Sequence, residues 1–492
     1  MPIALLALEE ELVVVVAWHH WVIVAVELLA QFTVAAWILV RHPRRPSTNL
    51  TWIMVIMLLP VIGVAMYLMV GEAHLGRLRR KRHKAIVESI RQRGMRHGSM
   101  GLYPPLPRHQ QAVTSLVESV GGLPVRGGNG MRLFHDSEEV IASLVADIDA
   151  ATLHAHLLFY IYEPDESGNA VGDALMRAAE RGVACRLLVD AVGSRTFLKS
   201  TLLTRLRQAG VRVVAALPAH IARAALSRID LRNHRKLAVF DGVIGYTGSQ
   251  NIVDASFAPK PGFGPWVDAS LRIEGPAVMD LAELFVEDWY LDSDEDLSDT
   301  LELEPRFVKD GVAIQIMPTG PDDEHEAMRL VAQSAFHLAR EELILTTPYF
   351  VPGEAEVVAL CTAARRGVRT SLVVPQRNDS PLVAAASRGL YQELLSSGVE
   401  IFEYTAGLLH AKVMTIDRNV ALVGTANFDR RSFELNFEVS AVVYDSDFAS
   451  KVRFLQRTYM HESEQVDRRA WHRRPWQRRL VENAAGVLSP LL

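Results

Sequence analysis

One arrangement of residues occurs twice in this chain and limits its folding more than any other feature. His234-x-Lys236-x4-Asp241-x6-Gly248-Ser249-x-Asn251 returns as His410-x-Lys412-x4-Asp417-x6-Gly424-Thr425-x-Asn427, with identical spacing. The surroundings repeat too. Residues 174–190 read ALMRAAERGVACRLLVD, and residues 359–375 read ALCTAARRGVRTSLVVP. In each, a helical window ends at Arg-Gly-Val and runs straight into a strand. Gly182 and Gly367 suit the position after a helix, where a positive φ is easy for glycine. Further on, Leu206-Arg-Gln-Ala-Gly-Val211 matches Leu394-Leu-Ser-Ser-Gly-Val399. The chain therefore predicts two halves of one topology, residues 125–305 and 306–460. Alternating strands and helices predict an α/β fold with mostly parallel mixed sheets. A duplicated fold often places its site between the halves, at a pseudo-twofold.

The spacing has chemical content. Residues i and i+2 of a strand share a face, so each histidine projects beside its lysine. The apolar stretches 237–240 and 413–416 carry that strand into the core. Asp241 and Asp417 then fall at turns. The returning strand delivers Ser249 and Asn251, or Thr425 and Asn427, beside the histidine. Two imidazoles, two ammonium groups, two hydroxyls and two amides suit a phosphodiester. The cations and amides bind its oxygens, one imidazole attacks phosphorus and the other protonates the leaving oxygen. No acidic cluster with metal-ligand spacing accompanies the motif, so no metal is expected. A formal net charge of −5 lacks the basic excess of a dedicated nucleic-acid binder. Two cysteines, Cys185 and Cys361, are too few for a disulfide framework and read as core thiols.

Two apolar runs precede the repeat, residues 12–40 and 51–70, each long enough to cross ~30 Å of hydrocarbon. The length of the first run and its acidic flank, Glu9 to Glu11, argue against a cleaved signal peptide. Residues 1–75 thus read as a membrane hairpin. Pro60 and Gly63 interrupt the second run, so a kinked or re-entrant passage stands beside a straight one. Arg77, Arg79, Arg80, Lys81, Arg82 and Lys84 outnumber Arg41, Arg44 and Arg45 of the connecting loop, which places the chain beyond residue 75 in the cytoplasm. The same cluster suits an anionic lipid surface. Residues 76–124 read as a juxtamembrane segment and linker, with 85–106 polar and ending in Tyr103-Pro104-Pro105. His20, Glu27 and Gln31 share one helical face. They mark a helix or subunit contact, hence a homo-oligomer through the first membrane helix, or a role with lipid head groups. In residues 461–492, Trp471, Trp476 and the arginines of 468–479 read as a closing amphipathic helix or an interfacial belt.

At the doubled motif the chain resembles the phospholipase D superfamily, whose signature is this pair of His-Lys-Asp motifs. Within it the chain looks like the membrane-anchored bacterial cardiolipin synthases. The likeness spans about residues 40–492. It includes Leu50-Thr-Trp52 through Leu59-Pro60-Val-Ile-Gly63, Tyr67 to Gly71, Asp190 to Ser194, Arg228-Ile-Asp-Leu-Arg-Asn-His234 and Trp266-Val-Asp268. It continues through Asp288-Trp289, Thr347-Pro-Tyr-Phe-Val-Pro352, Asp429 to Glu438 and the chain end Leu488-Ser-Pro-Leu-Leu492.

The resemblance implies a multi-pass protein of the bacterial inner membrane with two phospholipase D-like halves. It implies that two phosphatidylglycerols give cardiolipin and glycerol through a phosphatidyl-histidine, without a cofactor. His234, Lys236, Asp241, His410, Lys412 and Asp417 take catalytic roles on this reading, with His234 attacking and His410 as acid. Ser249, Asn251, Thr425 and Asn427 bind substrate. Asp268 and Glu438 resemble the family's histidine-orienting carboxylates; solvated strand-end acids are the alternative. Residues 347–352 either line a lipid entrance or end a buried strand. The implied partners are phosphatidylglycerol and cardiolipin in an anionic bilayer, not nucleic acid. A phosphodiesterase hydrolysing lipid or nucleic acid remains an alternative, as does an inactive membrane scaffold, against which two intact motifs count.

Overall fold

The computed structural model describes residues 2–41, 46–71, 77–94, 106–218, 230–257, 263–321 and 327–487. Residues 44–45, 103–105, 228–229 and 488–492, which carry some of the sequence features, lie outside the described residues. The chain divides into two compact units. One holds the N-terminal segment to His74; the other begins at Leu75 and holds both motif copies.

In the N-terminal unit the first apolar run belongs to the helix Pro2–Arg41. Its segment Trp18–Val40 is long and apolar enough to cross a bilayer. The second run leaves the expected hairpin unsupported. It splits into the helices Pro46–Leu58 and Pro60–Val70, with Leu59 at φ −129° and ψ 75° between them. Pro60 has no N–H and its ring crowds the carbonyl of the preceding turn, so one continuous helix is excluded. Each piece spans at most about 20 Å, short of the ~30 Å a crossing needs. Among the described residues Trp18–Val40 is thus the single candidate span, and a multi-pass topology is not supported. Ile38, Trp52, Ile56 and Tyr67 form a small core among the three helices, with Trp52 edge-on to Tyr67. The buried Gln31 amide donates to the Ile56 carbonyl at 3.0 Å. Its partner is therefore this chain's own second helix. Glu27 is half-buried and His20 is exposed.

Among the described residues of the second unit sixteen strands form one sheet, fifteen of them in a row and the sixteenth, Arg232–Asn233, paired off that row with Asn436–Val443. From one edge, the first half contributes Arg212–Ala216, Ala184–Asp190, His154–Phe159, Leu237–Phe240, Ile244–Gly248, Ser270–Glu274 and Arg126–Phe134. The second half continues with Val312–Thr319, Asn436–Val443, Val420–Gly424, Val413–Ile416, Glu342–Thr346, Arg369–Pro375 and Glu400–Tyr404. Ser463–Gln465 closes the far edge. Outward from the junction of Arg126–Phe134 with Val312–Thr319, the strand order of the two halves is the same.

The expectation of a mostly parallel sheet is corrected. Parallel ladders join His154–Phe159, Ala184–Asp190 and Arg212–Ala216, and in the other half Glu342–Thr346, Arg369–Pro375 and Glu400–Tyr404. There a helix such as Glu166–Glu180 makes the crossover that parallel pairing requires. The motif strands turn back within three residues, at 241–243 and 417–419, and so pair antiparallel. Helices Ala277–Ser293 and Ser446–His461 cover one face of the sheet, with Phe285, Trp289, Val452 and Tyr459 in its core.

Two segments read as linker are structural. Residues 85–94 belong to the helix Arg77–Gly94, whose Ile86 and Ile90 enter the core one turn apart. Their stripe is short and embedded in charge, which hid it. Helix Arg108–Gly121 packs Val113 and Val117 against the second half. Part of the basic cluster is committed to protein. Arg79 forms a two-pronged pair with Asp292, and Arg82 lies 2.9 Å from Asp294. Arg80, Lys81 and Lys84 face outward.

Candidate active site

Two short parallel bridges deliver the histidines. Arg232–Asn233 pairs with Asn436–Phe437, and Leu408–Leu409 pairs with Trp266–Val267. His234 N–H donates to the Phe437 carbonyl at 2.9 Å, and His410 N–H to the Val267 carbonyl at 2.7 Å. Each motif therefore starts on a strand of the other half.

The carboxylates follow the same exchange. His234 Nδ1 lies 2.9 Å from Glu438 Oε2, and His410 Nδ1 lies 2.7 Å from Asp268 Oδ1. The solvated-acid alternative for Asp268 and Glu438 falls, since both are buried. Each carboxylate also accepts a hydroxyl of its own half at 2.5 Å: Ser249 Oγ donates to Asp268, and Thr425 Oγ1 to Glu438. Those hydroxyls accept in turn from the Ala269 and Val439 N–H groups. Ser249 and Thr425 thus hold the carboxylates. Lys236 and Lys412, both buried, each donate to the carbonyl of the adjacent histidine, at 2.8 and 2.6 Å. Two of three ammonium donors remain on each. Asn251 Oδ1 accepts from Ile161 N–H at 3.0 Å, while Asn251 Nδ2 and Asn427 Oδ1 are buried without a partner.

The electrostatics set the protonation states. Burial pushes His234 down to about 4, against the pull of Glu438. Burial and Lys412 push His410 to about 4, against Asp268. Burial thus favours the neutral form of both rings near pH 7. A carboxylate only accepts, so each Nδ1 carries the hydrogen and each Nε2 presents its lone pair. Burial lowers Lys236 to about 8 and Lys412 to about 7, against the carboxylates. Burial raises Asp268, but His410, Lys412 and Ser249 outweigh it and hold the acid to about 2. Each lysine's charge acts on the opposite imidazole, so the two motifs form one electrostatic unit.

Asp241 and Asp417 stand apart from this cluster. Both occupy left-handed turn positions, φ 52° and 49°, which aspartate tolerates better than most residues. Asp241 accepts from the N–H groups of Thr152, Leu153 and His154 and from the Thr152 hydroxyl. Asp417 accepts from the N–H groups of Arg340, Glu341 and Glu342. They pin the neighbouring strand to the motif hairpin. Asp241→Ala is expected to destabilise the protein by about 2 kcal/mol in denaturant titrations, because several N–H groups lose their acceptor. Burial raises the Asp241 carboxyl, but those N–H groups outweigh it and lower its pKa. Its contribution is therefore full above pH ~4 and is lost as pH falls through the lowered value. An Ala variant with wild-type stability at neutral pH would contradict this assignment.

No individual role for the other residues at the site follows from the sequence, although Asp190, Trp266 and Asp288 lie in segments that resemble the family. The Tyr160 ring lies 4.7 Å from His234, and its only mark is to follow a buried strand. Arg235, between the motif's His and Lys, points to the other face. It pairs with Asp288 at 2.8 Å and donates to the Glu438 carbonyl at 3.1 Å. The Trp266 indole stacks on His410, centroids 4.2 Å apart and planes at 28°. Asp190 accepts from Val192, Gly193 and Asn233 N–H groups and so steadies the approach to His234. Among the described residues no group of three or more His, Cys, Asp or Glu side chains is arranged to hold a metal ion.

Two His-Lys motifs, each bonded into the other half of one sheet, define a protein of the phospholipase D superfamily. The family model "Cardiolipin synthase, PLD-like domain" matches residues 144–289 and 332–455, and "Phospholipase_D-nuclease N-terminal" matches residues 32–72. The chain is 36% identical to cardiolipin synthase A of Salmonella arizonae, over 97% of this chain and 99% of that protein. It is 35% identical to cardiolipin synthase A of Klebsiella pneumoniae, over 96% and 98%. A phosphatidylserine synthase of Haemophilus influenzae shares the fold at 13% identity, with a TM-score of 0.58 over 77% of this chain and all of that one. The chain belongs to the bacterial cardiolipin synthase family and is a phosphatidyltransferase of the phospholipase D superfamily.

Proposed function

We propose that this chain makes cardiolipin and glycerol from two molecules of phosphatidylglycerol through a phosphatidyl-histidine. His234 Nε2 attacks phosphorus, and the bond to the head-group glycerol oxygen breaks. His410, protonated, gives its Nε2 proton to that oxygen. It then takes a proton from the hydroxyl of a second phosphatidylglycerol, whose oxygen displaces His234. Lys236, Lys412 and the unpaired amide of Asn251 meet the nonbridging oxygens.

The observation that carries this reading is the exchanged pair of His–carboxylate contacts, 2.9 and 2.7 Å. Each turns a neutral imidazole so that Nε2 faces outward as base or nucleophile. The phosphodiester's own negative charge adds stabilisation for one imidazolium. A difference between the halves supports His410 as that one. Trp266 and Asn436 occupy equivalent register positions, opposite Leu408 and Arg232. His410 lies flat on the Trp266 ring, and an aromatic face stabilises a cation. Mass spectrometry of protein quenched in base during turnover tests the assignment. The phosphatidyl group is expected on the peptide holding His234; finding it on the His410 peptide would reverse the roles.

The candidate span and the family support a membrane-associated protein. The outward Arg80, Lys81 and Lys84 support a catalytic unit on the cytoplasmic side of the bacterial inner membrane. With Gln31 satisfied inside the chain, a second copy would meet the first helix through His20 and Glu27. No nucleic-acid substrate enters this reading.

A further inference from the structure

Residues 468–479 carry six arginines and no acid, in a chain of net charge −5. Arg474 is committed to Glu482 at 2.8 Å and to the Trp471 ring, but Arg468, Arg469, Arg473, Arg478 and Arg479 are exposed. The helix immediately after, Trp476–Val487, buries Glu482 and Ala485 against the helix Pro381–Ser397. Its opposite face is apolar and uncovered: Trp476 is 66% exposed, Leu480 59% and Val487 65%. At 100° per residue these three fall within about 40° of one another. A lone exposed leucine means nothing, but an aromatic-led apolar stripe beside exposed arginines has the make-up of a helix lying in a lipid head-group layer. Its place in the fold ties it to the site. Ala485 packs with Ala386 and Val351. Val351 lies on the short strand paired with Phe428–Asp429, which directly follows Asn427 of the second motif.

We propose that the helix Trp476–Val487 seats its Trp476, Leu480 and Val487 face in the head-group layer of an anionic bilayer, with the neighbouring arginines on lipid phosphates. The commitment to lipid follows from charge: arginines without acids match phosphate, and the apolar stripe matches the acyl boundary beneath it. The inference rests on the reading that the substrate is bilayer phosphatidylglycerol. It gives the face flanking the second motif a role in bringing that motif to its lipid.

The test uses the full chain in nanodiscs of phosphatidylcholine with or without phosphatidylglycerol, acyl chains dibrominated as quenchers. The fluorescence of wild type minus that of Trp476→Phe isolates one indole. The expected result is a blue-shifted component quenched by the bromines, more strongly with phosphatidylglycerol. The double variant Arg473→Gln/Arg479→Gln should lose that added quenching. In mixed micelles, Trp476→Ser/Leu480→Ser should raise KM, in surface mole fraction of lipid, by roughly three- to tenfold. Its kcat, and its rate on monomeric short-chain phosphatidylglycerol, should not change. An unquenched component, or Trp476 crosslinking to a second copy, would overturn the proposal. Quenching reports lipid contact whether or not cardiolipin forms, so failure of this surface and failure of the proposed reaction are distinguishable.

Discussion

Replacing His234 by alanine is expected to lower cardiolipin formation by at least ~10⁴-fold, because on the proposed mechanism it removes the group that attacks phosphorus. His410→Ala should cost about as much on phosphatidylglycerol, but for a different reason. Without a proton donor, the glycerol oxygen must leave as an alkoxide. The two variants separate on a phosphatidyl p-nitrophenyl ester, whose leaving group departs without a proton. His410→Ala should release nitrophenol at a rate near wild type, whereas His234→Ala should remain inactive. Trp266→Leu should behave as a weak copy of His410→Ala, about tenfold slower on the lipid and unchanged on the activated ester, with Trp266→Phe intermediate. Equal loss on both substrates for all three variants would mean that no single histidine is the proton donor.

The second large effect concerns the exchanged carboxylates. Asp268 belongs to the first half yet bonds the second half's His410, and Glu438 bonds His234. Asp268→Asn should therefore copy His410→Ala, slow on phosphatidylglycerol and nearly normal on the activated ester. Glu438→Gln should copy His234→Ala and be slow on both. Losses of about 10²- to 10⁴-fold are expected, since an amide facing Nδ1 favours the wrong tautomer and withdraws the charge opposite the imidazolium. Steady-state rates on the two substrates, with circular dichroism to confirm folding, check this. If each carboxylate variant instead matched the histidine of its own half, the exchanged geometry would be wrong.

Much of the site could be read from residues alone: the i, i+2 spacing groups His234 with Lys236 and His410 with Lys412, although the structure sets all four just before the strands Leu237–Phe240 and Val413–Ile416 rather than on them. The pairing of acid with histidine could not. It depends on where Arg232–Asn233 meets Asn436–Phe437, a contact some two hundred residues apart along the chain. Asp241 and Asp417 misled because shared spacing made them look part of one chemical group. Their carboxylates bind backbone N–H groups one strand away, a job any duplicated hairpin repeats. The Arg77–Gly94 helix escaped notice because two isoleucines among basic residues make a faint stripe that only the partner helix Ala277–Ser293 completes. The break at Leu59–Pro60 was visible as a proline. That it divides the second apolar run into two pieces too short to cross was not.

The proposed function stands or falls on the phosphatidyl group passing from one lipid to another rather than to water. Water stands at ~55 M, so a synthase succeeds only if positioning gives the acceptor hydroxyl a far higher effective molarity, up to ~10⁵ M or more, while the buried site keeps water out. The most direct measurement gives the purified protein phosphatidylglycerol vesicles labelled in the head-group glycerol, and counts cardiolipin, free glycerol and phosphatidic acid over one time course. The expected result is one glycerol released for each cardiolipin formed, little phosphatidic acid, and reversal when glycerol is added in excess. Phosphatidic acid as the dominant product, with glycerol unable to reverse the reaction, would contradict it.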